Sequence, residues 1–346
     1  MSATHPPVNE APVPFSGEPD SGSVNPPCDL ILRSSNHVDF HVHKQMLAFA
    51  SVFFSDMFAF PAGNVPPTET DRDGKPVLLL PESDEVLYRL LRLAYPGRSR
   101  QQYSFTAADL DSVTAVHEAA QKYQFIDAQQ LIVEMLLDDA LLQEHPHRLF
   151  AIGLLRNPPA LIQKAALQTL RSPICPIDLN FPEFHLISGA NLHKLYAFHR
   201  SRGARACEFL QGLICPQHKE VIDLVPHCFT YDREDGSPRA FVWWRGSNHD
   251  AKCGGPTEDN WDLVTVTPAK WFFTHIERLA RKVSAIPVGQ TVLNGIGAFD
   301  EDVASMIKDC GPCSVCKDGQ LEELAESVAP QIDKSHEEAV KKWVFC

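Results

Sequence analysis

The stretch that decides the fold is residues 38–58, VDFHVHKQMLAFASVFFSDMF. Its first five residues alternate apolar and polar side chains, which is the period of a β-strand with one buried face. After His43 and Lys44 the apolar residues recur every three or four positions, and this spacing predicts two short helices. Ser51 stands between the two helices, where its hydroxyl can cap the second one. The sequence therefore predicts a half-buried strand followed by a helical hairpin.

The flanking sequence supplies the other elements of a small mixed sheet covered by helices. Residues 28–33, CDLILR, form an apolar run of strand length, and a Ser-Ser-Asn turn joins this run to the alternating strand. Residues 75–81, KPVLLLP, predict a further buried strand. Two amphipathic helices follow, the first with an apolar stripe over residues 86–94 and the second ending near Tyr123.

Composition divides the rest of the chain into three parts. Residues 1–27 contain seven prolines and too few large apolar side chains to offset the chain entropy, so a disordered tail is predicted. Residues 128–171 are predicted to form a helical extension, and residues 172–346 a mainly helical domain. Helical spacing is clearest in three stretches of this domain, the last of which is interrupted by Pro330: 193–213, 271–283 and 320–344.

Residues 28–127 resemble the BTB/POZ domain family in the order of their elements and in the residues at the joints. The family's His-Lys, Ser-x-x-Phe and Met-Phe steps all occur in order. The matching positions are Phe40, His43, Lys44, Leu47, Ser51, Phe54, Met57 and Phe58. The later stretches VLLLPESDEVLYRLLRLAYP and VHEAAQKYQF match as well. The resemblance implies an α+β BTB/POZ fold, a small mixed sheet covered by helices, followed by a mostly α-helical C-terminal region.

The resemblance also implies a protein-interaction adaptor and not an enzyme. BTB domains of this family self-associate, or they present the face around the short Phe/Met helix to cullin-type ubiquitin-ligase scaffolds. The interaction residues expected on this basis are Phe54, Phe58, Tyr95 and Tyr103. A cullin-linked adaptor, a homodimer and a self-associating assembly protein without a ligase link all remain open.

Two departures from the family pattern bear on that choice. Many self-associating members have an extra helix before the first strand, whereas this chain is Pro-rich there and cannot form a stable helix. Some cullin binders have a hydrophobic-x-acidic signal, which residues 97–107 lack. Each departure weakens one of the two functions that the resemblance implies.

The C-terminal part more loosely resembles the BTB-containing proteins of mushroom-forming (basidiomycete) fungi. The similarity lies in the succession HPHRLFAIG, LHKLYAFHR, a pair of tryptophans and a Cys-x-x-Cys before the last helix. This second resemblance implies an architecture, but it does not imply an activity for residues 172–346.

The composition narrows the classes of partner. A formal net charge of −13 disfavours nucleic acid and anionic lipid, because both need clustered positive charge. No run approaches the ~18 apolar residues of a membrane helix. The start of the chain also lacks the pattern of a secretory signal peptide. We therefore expect protein partners, no nucleic acid, no membrane, and a location in the cytosol or the nucleus.

The ten cysteines leave three alternatives in a reducing compartment. Cys313 and Cys316, together with Cys215 and His218, have the two-residue spacing that could close a tetrahedral zinc site. The first alternative to zinc is a set of reduced cysteines buried in a core. The second is a redox pair of Cys313 with Cys316, which would need a helix N-terminus after a strand, whereas the preceding residues predict a helix that runs into the motif. No nucleophile elbow or phosphate-binding loop is present, so no catalytic residue, cofactor or resident metal is predicted.

Overall fold

A computed structural model describes residues 9–17, 27–59, 74–95, 106, 109–174, 181–214, 229–231, 238–240 and 269–345. For residues 229–231, 238–240, 312 and 315–318 it describes the main chain alone. The chain divides into two compact units, residues 1–145 with 155–161 and residues 146–154 with 162–346. The helical extension predicted for residues 128–171 is therefore divided between the two units.

The described part of the first unit is a four-stranded mixed sheet with helices. Its strands are β1 (Asn9–Glu10), β2 (Leu30–Arg33), β3 (Val38–Val42) and β4 (Val77–Leu79). Their spatial order is β1-β3-β2-β4; β2 and β3 are antiparallel, whereas β1 is parallel to β3 and β4 is parallel to β2. The helices are α1 (Lys44–Ala50), α2 (Val52–Ala59), α3 (Asp84–Ala94), α4 (Leu110–Lys122), α5 (Ile126–Leu136) and α6 (Asp139–Glu144). The predicted α+β class is confirmed.

Helix α3 forms where the sequence predicts a capped amphipathic helix. The hydroxyl of Ser83 accepts a hydrogen bond from the main-chain N–H of Val86, which satisfies one of the free donors of the first turn. Asp84 and Glu85 in that turn add negative charge at the positive end of the helix dipole. The buried stripe of α3 consists of Val86, Leu87, Leu90, Leu91 and Leu93.

The predicted disordered tail is wrong for residues 9–17, which we call the N-terminal segment. Strand β1 adds to the edge of β3, and the main-chain N–H of Ala11 donates to the carbonyl oxygen of Asp39 at 2.9 Å. Phe15 is fully buried, and its ring contacts those of Phe40, Tyr88 and Tyr95. Composition missed this segment because one aromatic side chain and a few main-chain hydrogen bonds order it once a sheet edge exists to receive them.

The prediction that only one face of β3 is buried is wrong, because the face with the polar side chains is buried as well. Asp39 pairs with Arg33 across the hairpin, with 2.6 Å between Arg33 Nε and Asp39 Oδ1. His41 lies 3.0 Å from Glu10 between Nε2 and Oε2. A Cβ atom at Gly17 would lie 2.8 Å from the same imidazole nitrogen. The N-terminal segment therefore covers the polar side chain that the sequence alone assigns to solvent.

The second unit is mainly helical, as predicted. Its helices are α7 (Pro146–Arg156), α8 (Pro159–Thr169), a 3₁₀ helix (Pro182–Leu186), α9 (Gly189–Gly212), α10 (Lys270–Ala285), α11 (Gly289–Gly295), α12 (Glu301–Lys308) and α13 (Gly311–Lys342). The end of α7 and the start of α8 fall within residues 155–161, which belong to the first unit. Two short antiparallel strands, β5 (Phe229–Tyr231) and β6 (Pro238–Ala240), lie between α9 and α10 in the chain. The helices predicted at residues 193–213 and 271–283 are confirmed as α9 and α10.

A buried apolar cluster joins α9, α10, α12 and α13. It includes Leu210, Trp271, Ile276, Leu279, Val303, Leu324 and Val328. Gly203 permits α9 to approach α10 closely, because a Cβ atom there would overlap the carbonyl oxygen of Ser284. The two helices therefore pack main chain against main chain at this one point.

Helix α13 continues through Pro330, so the predicted interruption at that residue is wrong. A proline inside a helix removes one main-chain hydrogen bond and costs about 3 kcal/mol or more. Helix α11 packs against α13 at this place, where the main-chain N–H of Gly289 donates to Asp333 Oδ1 at 2.8 Å. A Cβ atom at Gly289 would lie 2.5 Å from the carbonyl oxygen of Ala329, so the contact is close. The packing of α11 on α13 therefore offsets the cost of placing Pro330 inside a helix.

Four described histidines of the second unit are buried or half-buried: His147, His199, His275 and His336. Burial lowers the pKa of His147 to about 4, with a smaller contribution from His199. Burial also lowers the pKa of His336 to about 4, and the nearby Arg202 guanidinium acts in the same direction. The pKa of His199 is lowered by burial too, although its ring nitrogen contacts the carbonyl oxygen of Ser172 at 3.0 Å. Neutral imidazoles are therefore part of the folded state.

We predict that replacing Phe15 by Ala loosens β3. Removing a buried phenylalanine side chain costs about 3–5 kcal/mol, so the N-terminal segment should detach from the sheet. The main-chain N–H of His41, which donates to the carbonyl oxygen of Phe15 at 3.0 Å, should exchange with solvent roughly a hundredfold faster. Hydrogen exchange followed by mass spectrometry measures this. Val13→Ala is the control because Val13 is exposed; equal exchange rates in the two variants would contradict the prediction.

We predict that the second unit becomes less stable as the pH falls from about 6.5 towards 4. In this range the unfolded chain binds more protons than the folded one, because His147 and His336 have lowered pKa values. Each histidine can contribute up to about 1.4 kcal/mol per pH unit. Urea unfolding followed by tryptophan fluorescence reports on this unit, since it contains all five tryptophans. His336→Gln should flatten the pH dependence, whereas exposed His193→Gln should leave it unchanged.

Candidate protein-interaction site

The start of α1 is anchored by side chains from other elements. The main-chain N–H of His43 donates to the hydroxyl oxygen of Tyr95 at 2.8 Å. The N–H of Lys44 donates to Asp29 Oδ1, also at 2.8 Å. These two acceptors satisfy donors that a helix N-terminus leaves free, so α1 begins at a defined residue.

The hydroxyl of Ser51 connects the α1–α2 hairpin to the end of α4. Its oxygen accepts a hydrogen bond from the main-chain N–H of Phe54 at 3.1 Å, which confirms the predicted capping role. The same hydroxyl donates to the carbonyl oxygen of Tyr123 at 2.5 Å. Because the group is buried, both hydrogen bonds form away from water, where an unmade bond would be costly. Ser51 therefore fixes α2 against the turn between α4 and α5.

Aromatic side chains fill the space beneath α2. The ring of Phe54 lies 5.6 Å from that of Tyr123, 5.8 Å from Phe125 and 5.9 Å from Phe58 between centroids. The hydroxyl of Tyr123 donates to Glu82 Oε2 at 2.5 Å. Burial raises the pKa of the Tyr123 phenol, and the neighbouring Glu82 carboxylate raises it further. This tyrosine therefore stays protonated as a donor.

The four residues predicted to contact partners differ in their exposure and in their place in the fold. Phe54 is 1% exposed, so it supports α2 from below and can shape a partner surface only through its neighbours. Phe58 is half-buried beside it. Tyr95 is half-buried in a different place, where its ring packs against Phe15 and burial raises the pKa of its phenol. Tyr103 lies outside the described residues. The interaction role of these four residues stays a prediction.

Four other apolar side chains on this part of the unit are exposed, and the sequence did not single them out as a surface. We call them the apolar surface set: Phe49 of α1 (87% exposed), Val52 (48%) and Phe53 (38%) of α2, and Ile126 of α5 (55%). The ring of Phe53 contacts that of Tyr123 at 5.5 Å, which brings α2 to the turn that precedes Ile126. A usable signal was present at Phe49, because this large aromatic residue lies outside the helical register of Met46, Leu47 and Ala50.

This architecture, a small mixed sheet whose helical hairpin displays apolar side chains, defines a protein-interaction domain. The sequence model of the BTB/POZ domain matches residues 23–140, so this part of the chain is a BTB/POZ domain. Domains of this family generally mediate interactions between proteins. The prediction of such a domain at residues 28–127 is confirmed within these wider bounds. No curated protein matches the chain, and the resemblance to fungal proteins stays a prediction.

The zinc alternative stays a prediction as well. No group of three or more His, Cys, Asp or Glu suited to a metal ion occurs among the described residues. Cys215 and His218 lie outside that part of the chain, and so does the side chain of Cys316. Cys313 is buried. Within the described ranges, no helix is long and apolar enough to span a bilayer.

The helix predicted from Ile307 and Lys308 is confirmed as α12, although it ends before the cysteine motif. Helix α12 ends at Lys308, and α13 begins at Gly311 with Cys310 as its N-cap residue. Asp309 and Cys310 connect the two helices, and residues of both helices belong to the apolar cluster that contains Trp271. Cys310 and Cys313 therefore lie at a helix N-terminus, although a helix and not a strand precedes them.

We predict that Tyr95→Phe destabilises the start of α1 by about 1–3 kcal/mol, because the main-chain N–H of His43 loses its acceptor. Hydrogen exchange of the amides in residues 44–50 measures the effect. Tyr88→Phe is the matched control: Tyr88 also contacts Phe15, but its hydroxyl makes an exposed hydrogen bond of 3.3 Å to Val13. Equal protection of α1 in both variants would show that the Tyr95 hydroxyl has no capping role.

Proposed function

We propose that this protein is an adaptor that binds a protein partner through the BTB domain and links a target to a cullin-type ubiquitin ligase. The observation that supports a partner surface most directly is the apolar surface set on α1, α2 and α5. Exposed apolar side chains that cluster on one part of a domain mark sites of protein interaction. Ser51 and the aromatic side chains beneath α2 hold this surface in one conformation, which reduces the entropy lost on binding.

The exposure of the individual residues indicates which contacts would stabilise a complex most. Full burial of a large apolar side chain is worth about 1.5–3 kcal/mol. Phe49 and Ile126 are the most exposed members of the set, so a partner would gain the most from covering them. A few such residues generally supply most of the binding free energy at an interface.

The N-terminal segment favours a partner of a different sequence over a second copy of this chain. Many self-associating members of the family have a helix before the first strand, whereas here a strand in that part of the chain lies on β3. Phe15 is buried within the same unit and is therefore not available to another copy. The self-associating assembly protein is the second candidate function, and the experiment below separates it from the first.

The second unit would supply the target-binding half of the adaptor. It has its own buried core, which includes Trp271. A unit with its own core can bind a target while the first unit binds the scaffold. Under this proposal the protein acts in the cytosol or the nucleus, where its ligase partner would be found, and it needs no cofactor.

We predict that Phe49→Asp and Ile126→Asp each weaken binding to a cullin scaffold by about tenfold or more, since a charge replaces an apolar contact. The measurement is the dissociation constant of the purified full chain with each available cullin scaffold. Neither variant should unfold, because both side chains are exposed. Leu186→Asp is the control, since Leu186 is an exposed apolar residue of the second unit.

Sedimentation of the same proteins separates the two candidate functions. A monomer that binds a cullin, with binding lost in the Phe49 and Ile126 variants, agrees with the adaptor. A dimer that the same two substitutions dissociate, without any cullin binding, agrees with the self-associating protein. A monomer that binds no cullin scaffold would refute both.

A further inference from the structure

Two buried cysteines lie together at the N-terminus of α13. Cys310 is the N-cap residue and Cys313 is the third residue of the helix, with Gly311 and Pro312 between them. Cys310 is 1% exposed and Cys313 is 0% exposed, and both belong to the apolar cluster around Trp271. Neither cysteine is in a disulfide in this structure.

The spacing puts the two thiols within reach of each other. The side chain of an N-cap residue is directed at the first helical turn, and the third helical residue belongs to that turn. The main chain has this geometry here: Cys310 has extended dihedral angles, and its carbonyl oxygen accepts from the N–H of Ser314 at 2.9 Å. Two cysteines in Cys-x-x-Cys spacing at the start of a helix are the arrangement in which dithiol oxidoreductases close a disulfide.

Burial in an apolar core disfavours a thiolate, and two other features of the surroundings oppose this effect by stabilising negative charge on sulfur. A helix N-terminus stabilises negative charge, and α13 is 32 residues long. The indole N–H of Trp271 donates a hydrogen bond to Cys313 Sγ at 3.2 Å. A donor to sulfur favours the thiolate over the thiol. The helix N-terminus acts on both cysteines, whereas the indole donor acts on Cys313.

The residues next to the two cysteines in the chain lie at the surface. Asp309 and Gly311, the neighbours of Cys310, are exposed, and so is Ser314 next to Cys313. A water-sized oxidant can reach such a position through small local openings of the helix start, whereas a large protein disulfide cannot. The co-reactant that fits this site is therefore hydrogen peroxide.

We propose that Cys310 and Cys313 form a peroxide-sensitive dithiol that closes reversibly into an intramolecular disulfide. The Cys310 thiolate attacks one peroxide oxygen; the O–O bond breaks, Cys310 becomes a sulfenic acid, and the second oxygen leaves as water after taking a proton. The Cys313 thiolate then attacks the Cys310 sulfur, and the sulfenic oxygen leaves as a second water. The two sulfurs together lose two electrons and two protons, which reduce one peroxide to two waters. A small thiol reverses the reaction by exchange.

The test uses the purified full chain in its reduced form. It is treated with hydrogen peroxide in slight excess, its remaining thiols are alkylated, and its peptides are mapped by mass spectrometry. We expect the peptide with Cys310 and Cys313 to be unalkylated and lighter by two hydrogen atoms in more than half of the molecules, and dithiothreitol to restore both thiols. Cys207, which is half-buried on α9, serves as the internal control and should still be available for alkylation after the peroxide treatment.

Two variants test the order of the steps. Cys313→Ser should accumulate a sulfenic acid at Cys310, which dimedone traps, because the second sulfur is missing. Cys207→Ser should form the disulfide as the unaltered protein does. The proposal is overturned if Cys310 and Cys313 are both alkylated when the reagent is added after the peroxide treatment. It is also overturned if the disulfide forms only in urea, or if either cysteine pairs with Cys316 instead. The mapping of the unaltered protein decides these outcomes even if a variant fails to fold.

Discussion

The burial of β3 on both faces is the constraint on which the BTB unit depends. A strand removed from water must have its polar groups paired, because each unpaired buried group costs about 1–3 kcal/mol. Asp39 meets this demand through Arg33, and one ring nitrogen of His41, Nε2, meets it through Glu10. Since Glu10 belongs to the N-terminal segment, a part of the chain that resembles a linker in composition becomes a part of the sheet. The same strand leads directly into α1, so its position also sets the position of the helical hairpin.

The hairpin of α1 and α2 combines a rigid interior with an apolar exterior. Ser51 and Phe54 face inwards and make the contacts that fix α2 to the turn after α4. Phe49 faces outwards and gains little from folding, whereas Phe53 is partly exposed and its ring also contacts Tyr123. Exposed apolar side chains that lie together can mark a site of protein interaction. The division of roles between adjacent aromatic residues is thus a direct link between packing and the proposed function.

The second unit follows a different principle, in which close main-chain approaches determine the packing. Gly203 and Gly289 each remove a Cβ atom where two helices meet. The apolar cluster that these approaches close includes Trp271 and both cysteines at the start of α13. A dithiol in such a core is protected from large reagents, and any bond between its sulfurs would form inside a packed region. The redox chemistry proposed for it therefore depends on the local opening of one helix end.

The sequence by itself determined the element types of the BTB unit, because periods of two and of three to four residues are local properties of the chain. The strand at β3, the Ser51 cap and the capped stripe of α3 all follow from neighbouring residues. Part of the site could also be predicted from the sequence, because the position of Phe49 outside the apolar stripe of its helix is a local signal. Only the tertiary structure decided that His41 and Phe15 are buried and that a helix continues through Pro330. Each of these depends on a partner distant in the chain, and no local period encodes which segment will cover a strand edge or pack against a proline.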